Sequence, residues 1–155
     1  MTFEVLIIED DIHKLESLTK FIYRNLVNTT IKSATNLQDA IQLINLNLFN
    51  LILIDMAIPS HATISGGGSP MSLLNGGLEV ILELSSLDRE DDCIIITQFH
   101  EVEICSNNYT INQAKDKIWE LLECKVLDCI LYEEDNILWQ TQLIKSICTY
   151  ENFNS

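Results

Sequence analysis

The chain has 155 residues, 47% hydrophobic and 21% charged, which is enough for one domain with a real core and too apolar for disorder. Its 23 acids against 9 bases give a formal net charge of −14. That argues against direct binding to nucleic acid or to an anionic membrane, because phosphate selects basic patches, and favours cationic partners or a divalent metal. The cysteines (Cys93, Cys105, Cys124, Cys129, Cys148) are odd in number and lack CxxC spacing. No signal peptide precedes the first strand and no apolar run reaches spanning length, so a reducing cytoplasm is expected.

The first element, "FEVLII" (3–8), is almost continuously apolar, as suits a strand covered on both faces. It runs straight into Glu9, Asp10 and Asp11. Three neighbouring carboxylates repel one another, raise one another's pKa values, or recruit a cation. Asp11 is placed to cap the following helix, in which Ile12, Leu15, Thr19, Ile22 and Leu26 step by three and four and His13 is expected to be exposed. "TTIKSAT" (29–35) is more polar and alternates, like an edge strand. A second helix carries Leu37, Ala40, Ile41, Ile44 and Leu48 behind a capping Asn36, and "LILI" (51–54) then ends in Asp55.

All five glycines and both prolines fall within "PSHATISGGGSPMSLLNGG" (59–77), which reads as a flexible insertion. No lysine completes a phosphate-cradling GxxxxGK[ST] pattern there. Leu74, Leu78, Ile81, Leu82 and Ser85 mark a third helix, and "CIIIT" (93–97) a strand ending in Thr97. After the long connection "QFHEVEICSNNYT" (98–110), Thr110 and Gln113 fit a capping box for a fourth helix with Ile111, Ala114, Ile118, Leu121 and Leu122. "VLDCILY" (126–132) and a helix carrying Ile137, Thr141, Ile144 and Cys148 complete the chain. Five strand–helix alternations mean βαβ units, hence an α/β, doubly wound parallel sheet with helices on both faces.

Ligands of such sheets sit beyond the carboxyl ends of the strands. Glu9 and Asp10 end the first strand, Asp55 the third and Thr97 the fourth. If the first and third strands are neighbours, these side chains share a crevice of hard oxygen ligands suited to Mg²⁺. His61 and His100, on loops at the same edge, read as solvated surface groups in preference to metal ligands. Trp119 and Trp139 lie in the last two helices, for packing or for an interface.

The acidic pair in "IIED", the aspartate with proline four residues on in "DMAIP", and the threonine closing "IIIT" together resemble the receiver domain of two-component response regulators, over nearly the whole chain. The resemblance implies a flavodoxin-like receiver fold, five strands in the order 2-1-3-4-5, as a single domain over 1–155 with insertions at about 58–75 and 98–110. It implies that Asp55 is the phosphoacceptor and that Glu9, Asp10, Asp55 and the Ala57 carbonyl hold Mg²⁺, with Thr97 as the switch hydroxyl. The implied partners are a histidine kinase or phosphotransfer protein and a downstream protein, reached through the face of helix four, strand five and helix five. Such a domain is not an enzyme beyond accepting and losing a phosphoryl group.

The sequence departs from that pattern where the family keeps a lysine after strand five. Tyr132 stands there, followed by Glu133, Glu134 and Asp135, and no other lysine nominates itself. Gln98 replaces the small residue expected after the threonine, where it would crowd the phosphoryl pocket. An atypical receiver is therefore expected, either phosphorylated or acting as a phosphorylation-independent binding module. A phosphatase of the haloacid dehalogenase type needs an acid two residues after its aspartate, where this chain has Ala57. A flavodoxin-like cofactor binder would need a phosphate loop.

Overall fold

A computed structural model of the protein describes residues 2–62, 72–73 and 76–155. Five parallel strands form the sheet: β1 (Phe3–Ile8), β2 (Thr29–Ala34), β3 (Leu51–Ile54), β6 (Asp92–Thr97) and β9 (Asp128–Leu131), in the order β2-β1-β3-β6-β9. Counted among themselves they run 2-1-3-4-5, and β1 and β3 are adjacent, with Ile8 opposite Ile54. The more polar β2 lies at an edge.

The unbroken apolar strands feed two cores by alternation. Val5, Ile7, Leu51, Leu53, Ile94, Ile96 and Ile130 face one side, against α1 (Ile12–Asn25) and α5 (Leu138–Ile147). Leu6, Ile8, Ile52, Ile54, Cys93, Ile95 and Cys129 face the other, against α2 (Leu37–Leu46), α3 (Gly76–Ser86) and α4 (Ile111–Leu122). Asn36 caps α2 by accepting from the Asp39 N–H at 2.8 Å, and Gln113 Oε1 accepts from the Thr110 N–H at 3.1 Å where α4 begins.

Two small antiparallel pairs complete the chain. β4 (Ile58–Pro59) pairs with β5 (Ser72–Leu73), whereas most of the glycine-bearing stretch, including Gly66 to Gly68 and the third-helix position Leu74, lies outside the described residues. β7 (Glu101–Ile104) and β8 (Asn107–Thr110) form a hairpin between β6 and α4, turning through Cys105 and Ser106 at positive φ. Its Val102 and Ile104 are buried in the same cluster as Ala114 and Ile118 of α4, so the hairpin belongs to the core and does not hang free.

Two helices are rotated from the phase read in the sequence. α1 buries Lys14, Leu18, Phe21 and Ile22, leaving Ile12 exposed. α5 buries Trp139, Leu143 and Ile147, with Ile137 and Cys148 outside. In each case the apolar residue at the helix start, Ile12 or Ile137, opens the pattern in the sequence but lies off the buried face.

Candidate functional site

The three acids after β1 have three different positions. Asp11 caps α1, its Oδ1 accepting from the N–H groups of His13 and Lys14 at 2.9 and 3.1 Å. Asp10 is exposed. Glu9 turns inward at 1% exposure, and its Oε1 accepts from the Asp11 N–H at 2.9 Å. Asp55, 3% exposed, follows β3, and its own N–H donates to the Ile8 carbonyl at 3.0 Å, which ties the two strand ends together. Glu9, Asp10 and Asp55 each present a carboxylate oxygen within 4.8 Å of the others.

Thr97 is fully buried at the end of β6 and its side chain hydrogen-bonds Asp55, while its Oγ1 accepts from the Phe99 N–H at 3.3 Å. Ala57 is half-buried, two residues beyond Asp55. Behind it, Gly77 brings the first turn of α3 against this loop and donates its N–H to the Met56 carbonyl at 3.0 Å. A Cβ on Gly77 would lie 2.6 Å from the Asp55 carbonyl oxygen, so glycine is what permits the approach.

The crevice also holds a cation that the sequence reading overlooked. Lys14, from the first turn of α1, is 2% exposed and brings its Nζ within 2.6 Å of Glu9 Oε2 and 3.2 Å of Asp55 Oδ1. The ammonium donates to the Ile96 carbonyl at 2.7 Å and to Gln98 Oε1 at 2.9 Å, and lies 5.5 Å from the centre of the Tyr132 ring. A lysine from elsewhere does reach in, one that the sequence did not nominate. Gln98 is exposed and holds this lysine with its side-chain oxygen. Tyr132 is buried and meets the ammonium with its ring, which also packs 5.0 Å from Trp139. The signal was present in the spacing: Lys14, Leu18 and Phe21 are i, i+4 and i+7 of one helical face.

Two buried carboxylates share one buried ammonium, so one negative charge stays uncompensated if both acids are ionised. Burial raises the Glu9 pKa to about 7, although Lys14 pulls it down, and Asp55 adds to the rise. Burial likewise raises Asp55, against the opposing effects of Lys14, Thr97 and the Met56 N–H. Glu9 Oε2 and Asp55 Oδ1 are ion-paired to Lys14, but neither accepts an aligned hydrogen bond among the described residues. Buried, under-coordinated carboxylate oxygens beside an exposed third carboxylate form a donor set that fits Mg²⁺.

The other sequence candidates stand apart. His13, His61 and His100 are exposed, and among the described residues the acidic cluster includes no histidine. Trp139 is core, packed against Phe21 and Tyr132, whereas Trp119 is 60% exposed on α4.

The sheet order and its acidic carboxyl edge define a receiver fold. It is shared with the solved structure of the response regulator TrrA from Thermotoga maritima in complex with Mg²⁺ and BeF, which aligns at TM-score 0.60 and 15% identity over 94% of this chain and 100% of that one. The chain matches no protein-family model. It is 36% identical over 104 residues to the Detocs response regulatory protein DtcB of Vibrio alginolyticus, covering 64% of this chain and 68% of that protein. To its namesake from Enterobacter cloacae (strain JD6301) it is 25% identical over 148 residues, 93% of this chain and 97% of the relative. The chain therefore belongs to the response regulator receiver family, alongside these Detocs proteins.

Proposed function

We propose that this receiver takes a phosphoryl group on Asp55 from a histidine kinase or phosphotransfer protein and signals by contact with another protein. The single observation that supports it most is the buried Asp55 carboxylate at the carboxyl edge of the sheet, clustered with Glu9 and Asp10. An Asp55 oxygen attacks the phosphorus of a phosphohistidine; the O–P bond forms as the P–N bond breaks, and the leaving nitrogen keeps the electron pair and gains a proton. Desolvation strips water from the attacking carboxylate, and the Thr97 side chain orients it. Glu9, Asp10, Asp55 and the Ala57 carbonyl would hold Mg²⁺, which when bound offsets the charge of the transferring phosphoryl group. Once Asp55 is an acyl phosphate, Thr97 is the hydroxyl that moves to the phosphoryl oxygens. Its carbonyl accepts from the Tyr132 N–H at 2.7 Å, linking that movement to the end of β9.

In this reading residues 1–155 are one receiver domain carrying the glycine-bearing segment and the β7–β8 hairpin as insertions, and the chain has no catalytic turnover of its own. Five free cysteines suit the cytoplasm, and among the described residues no helix is long and apolar enough to cross a membrane. One observation favours a second reading: Lys14 already sits between the two buried acids, as an internal cation of a phosphorylation-independent module would.

Incubation with Mg²⁺ and acetyl phosphate, followed by intact-mass measurement, separates the two. A phosphoryl adduct that is lost in Asp55→Asn supports the phosphoacceptor. No adduct on the wild-type chain leaves the constitutive module.

A further inference from the structure

Lys14 and the residues touching it carry the next inference, which rests on the phosphoacceptor reading of Asp55. Three oddities of this chain meet at one atom. Gln98 accepts from Lys14 Nζ at 2.9 Å, the Tyr132 ring lies 5.5 Å from it, and Tyr132 itself stands directly after β9 where the family keeps a lysine. We infer that Lys14 is the phosphoryl-binding cation of the site, delivered from the first turn of α1 and held in place by Gln98, the Ile96 carbonyl and the Tyr132 ring.

An ammonium has three protons. Two go to neutral acceptors, Ile96 O and Gln98 Oε1, that belong to the end of β6 and do not change when Asp55 reacts. The aromatic face contributes attraction without taking up a proton. The third proton faces the anionic side of the crevice, between Glu9 Oε2 at 2.6 Å and Asp55 Oδ1 at 3.2 Å. When Asp55 becomes an acyl phosphate, its negative charge moves outward onto the phosphoryl oxygens, and the anchored ammonium is left facing them. The donor is thus preorganised for charge that develops during transfer.

A purely structural role explains less. A buried ammonium costs desolvation that a methionine of similar length would avoid, and one cation does not neutralise two acids. Nor does a structural role account for the exposed Gln98 side chain reaching back to hold the ammonium.

The experiment compares the full-length wild type, Lys14→Met and Gln98→Ala. It reads acetyl phosphate adduct formation with Mg²⁺, and the Trp139 fluorescence change on titrating Mg²⁺ with BeF₃⁻ in a Trp119→Phe background. Trp139 reports because its ring packs at a tilt, 5.0 Å from the Tyr132 ring that the ammonium faces. Lys14→Met is expected to lower BeF₃⁻ affinity and the adduct rate on the order of 100–1000-fold, the scale for losing one preorganised donor. Gln98→Ala keeps the charge but frees it, and produces a smaller drop in the same direction.

Wild-type values in Lys14→Met overturn the inference and leave the phosphoacceptor reading standing. Faster phosphorylation in that variant also overturns it, making Lys14 a plug. No adduct on the wild-type chain overturns both. If Lys14→Met does not fold, Gln98→Ala decides: an unchanged BeF₃⁻ titration overturns the inference and a weakened one supports it.

Discussion

Opposite ends of the same sheet carry two clusters of cation and acid, built on opposite principles. At the amino end, before β6, Arg89 grips Asp91 with Nε and Nη2 at 2.9 and 2.6 Å. Nη2 also donates to the Asn47 carbonyl at 2.7 Å, and Nη1 donates to the Ile44 carbonyl, closing the C-terminus of α2. Asp91 Oδ2 further accepts from the Phe49 N–H at 2.9 Å. Burial pushes Asp91 up, but the hydrogen bonds from Arg89 and Phe49 outweigh it and hold its pKa below the usual 3.8. At the carboxyl end, Lys14 meets two acids with unaligned oxygens, and both acids are raised. One cluster is matched and satisfied, as a structural clamp should be. The other keeps an excess of negative charge where a cation and a phosphoryl group are to be received, and the opposite pKa directions record the difference.

The comparison breaks most visibly at the matched end. Arg89→Ala leaves a half-buried carboxylate and the last carbonyls of α2 without their donor, and should cost about 3 kcal/mol, read as a lower urea midpoint at unchanged slope. Phosphoryl acceptance by the protein that remains folded should be unaffected, since the clamp lies at the far end of the sheet. Next in size is Gly77→Ala at the functional end. Its new Cβ must push against backbone, the Asp55 carbonyl oxygen and Met56 Cα at 2.6 and 3.0 Å, and should cost about 2 kcal/mol while slowing adduct formation on Asp55.

Neutralising the mismatched end should act in the opposite direction. Asp55→Asn leaves Lys14 with one acid and should stabilise the fold by about 1 kcal/mol in Mg²⁺-free buffer, even as it abolishes the phosphoryl adduct. The pH dependence follows from the same charges. Glu9 titrates near 7 folded against 4.5 ordinarily, so between those values the folded chain binds a proton that the unfolded chain has released. Its stability contribution therefore falls as pH rises from 4.5 to 7, and Asp55 acts in the same sense. Asp91, depressed, contributes stability above 3.8 that is lost as pH falls through its folded value. Melting temperature should thus be higher near pH 5 than near pH 8, and Glu9→Gln should flatten that slope. A wild-type profile that rises toward pH 8 would contradict the mismatch.

The matched cluster was invisible in the sequence, whereas much of the mismatched one was legible. "IIED", "DMAIP" and "IIIT" are local words at strand ends, and parallel βαβ winding brings such ends to one edge without further information. Arg89 and Asp91 form a clamp only because α2 ends beside them, a tertiary fact with no periodic signature. Lys14 failed for a different reason. The apolar stripe of α1 read from Ile12, a cap-side residue that is 57% exposed, skips Lys14, and lysine is a residue type almost never fully buried unless paired. Phasing from Leu18 and Phe21 would have turned Lys14 inward. The stripe of α5 shows the same displacement: Ile137 lies ahead of the helix and exposed, and Trp139 leads the buried face.

A third cation–acid pair sharpens the comparison by repeating the aromatic distance in a more exposed setting and with a single acid. Lys117 Nζ lies 5.5 Å from the centre of the Tyr109 ring and 3.2 Å from Glu120 Oε2, the same aromatic distance as Lys14 over Tyr132. Its side chain is about a third exposed and its acid more than half, so water and salt screen the pair and either partner can leave it without stranding a buried charge. Lys117→Met should therefore cost only about 0.5 kcal/mol, a loss that shrinks further at high salt, with Mg²⁺ and BeF₃⁻ binding unchanged. A cost comparable to that of Arg89→Ala would mean that pairing alone, and not desolvation, sets the strength of these clusters. The contrast between the two ends of the sheet would then need another cause.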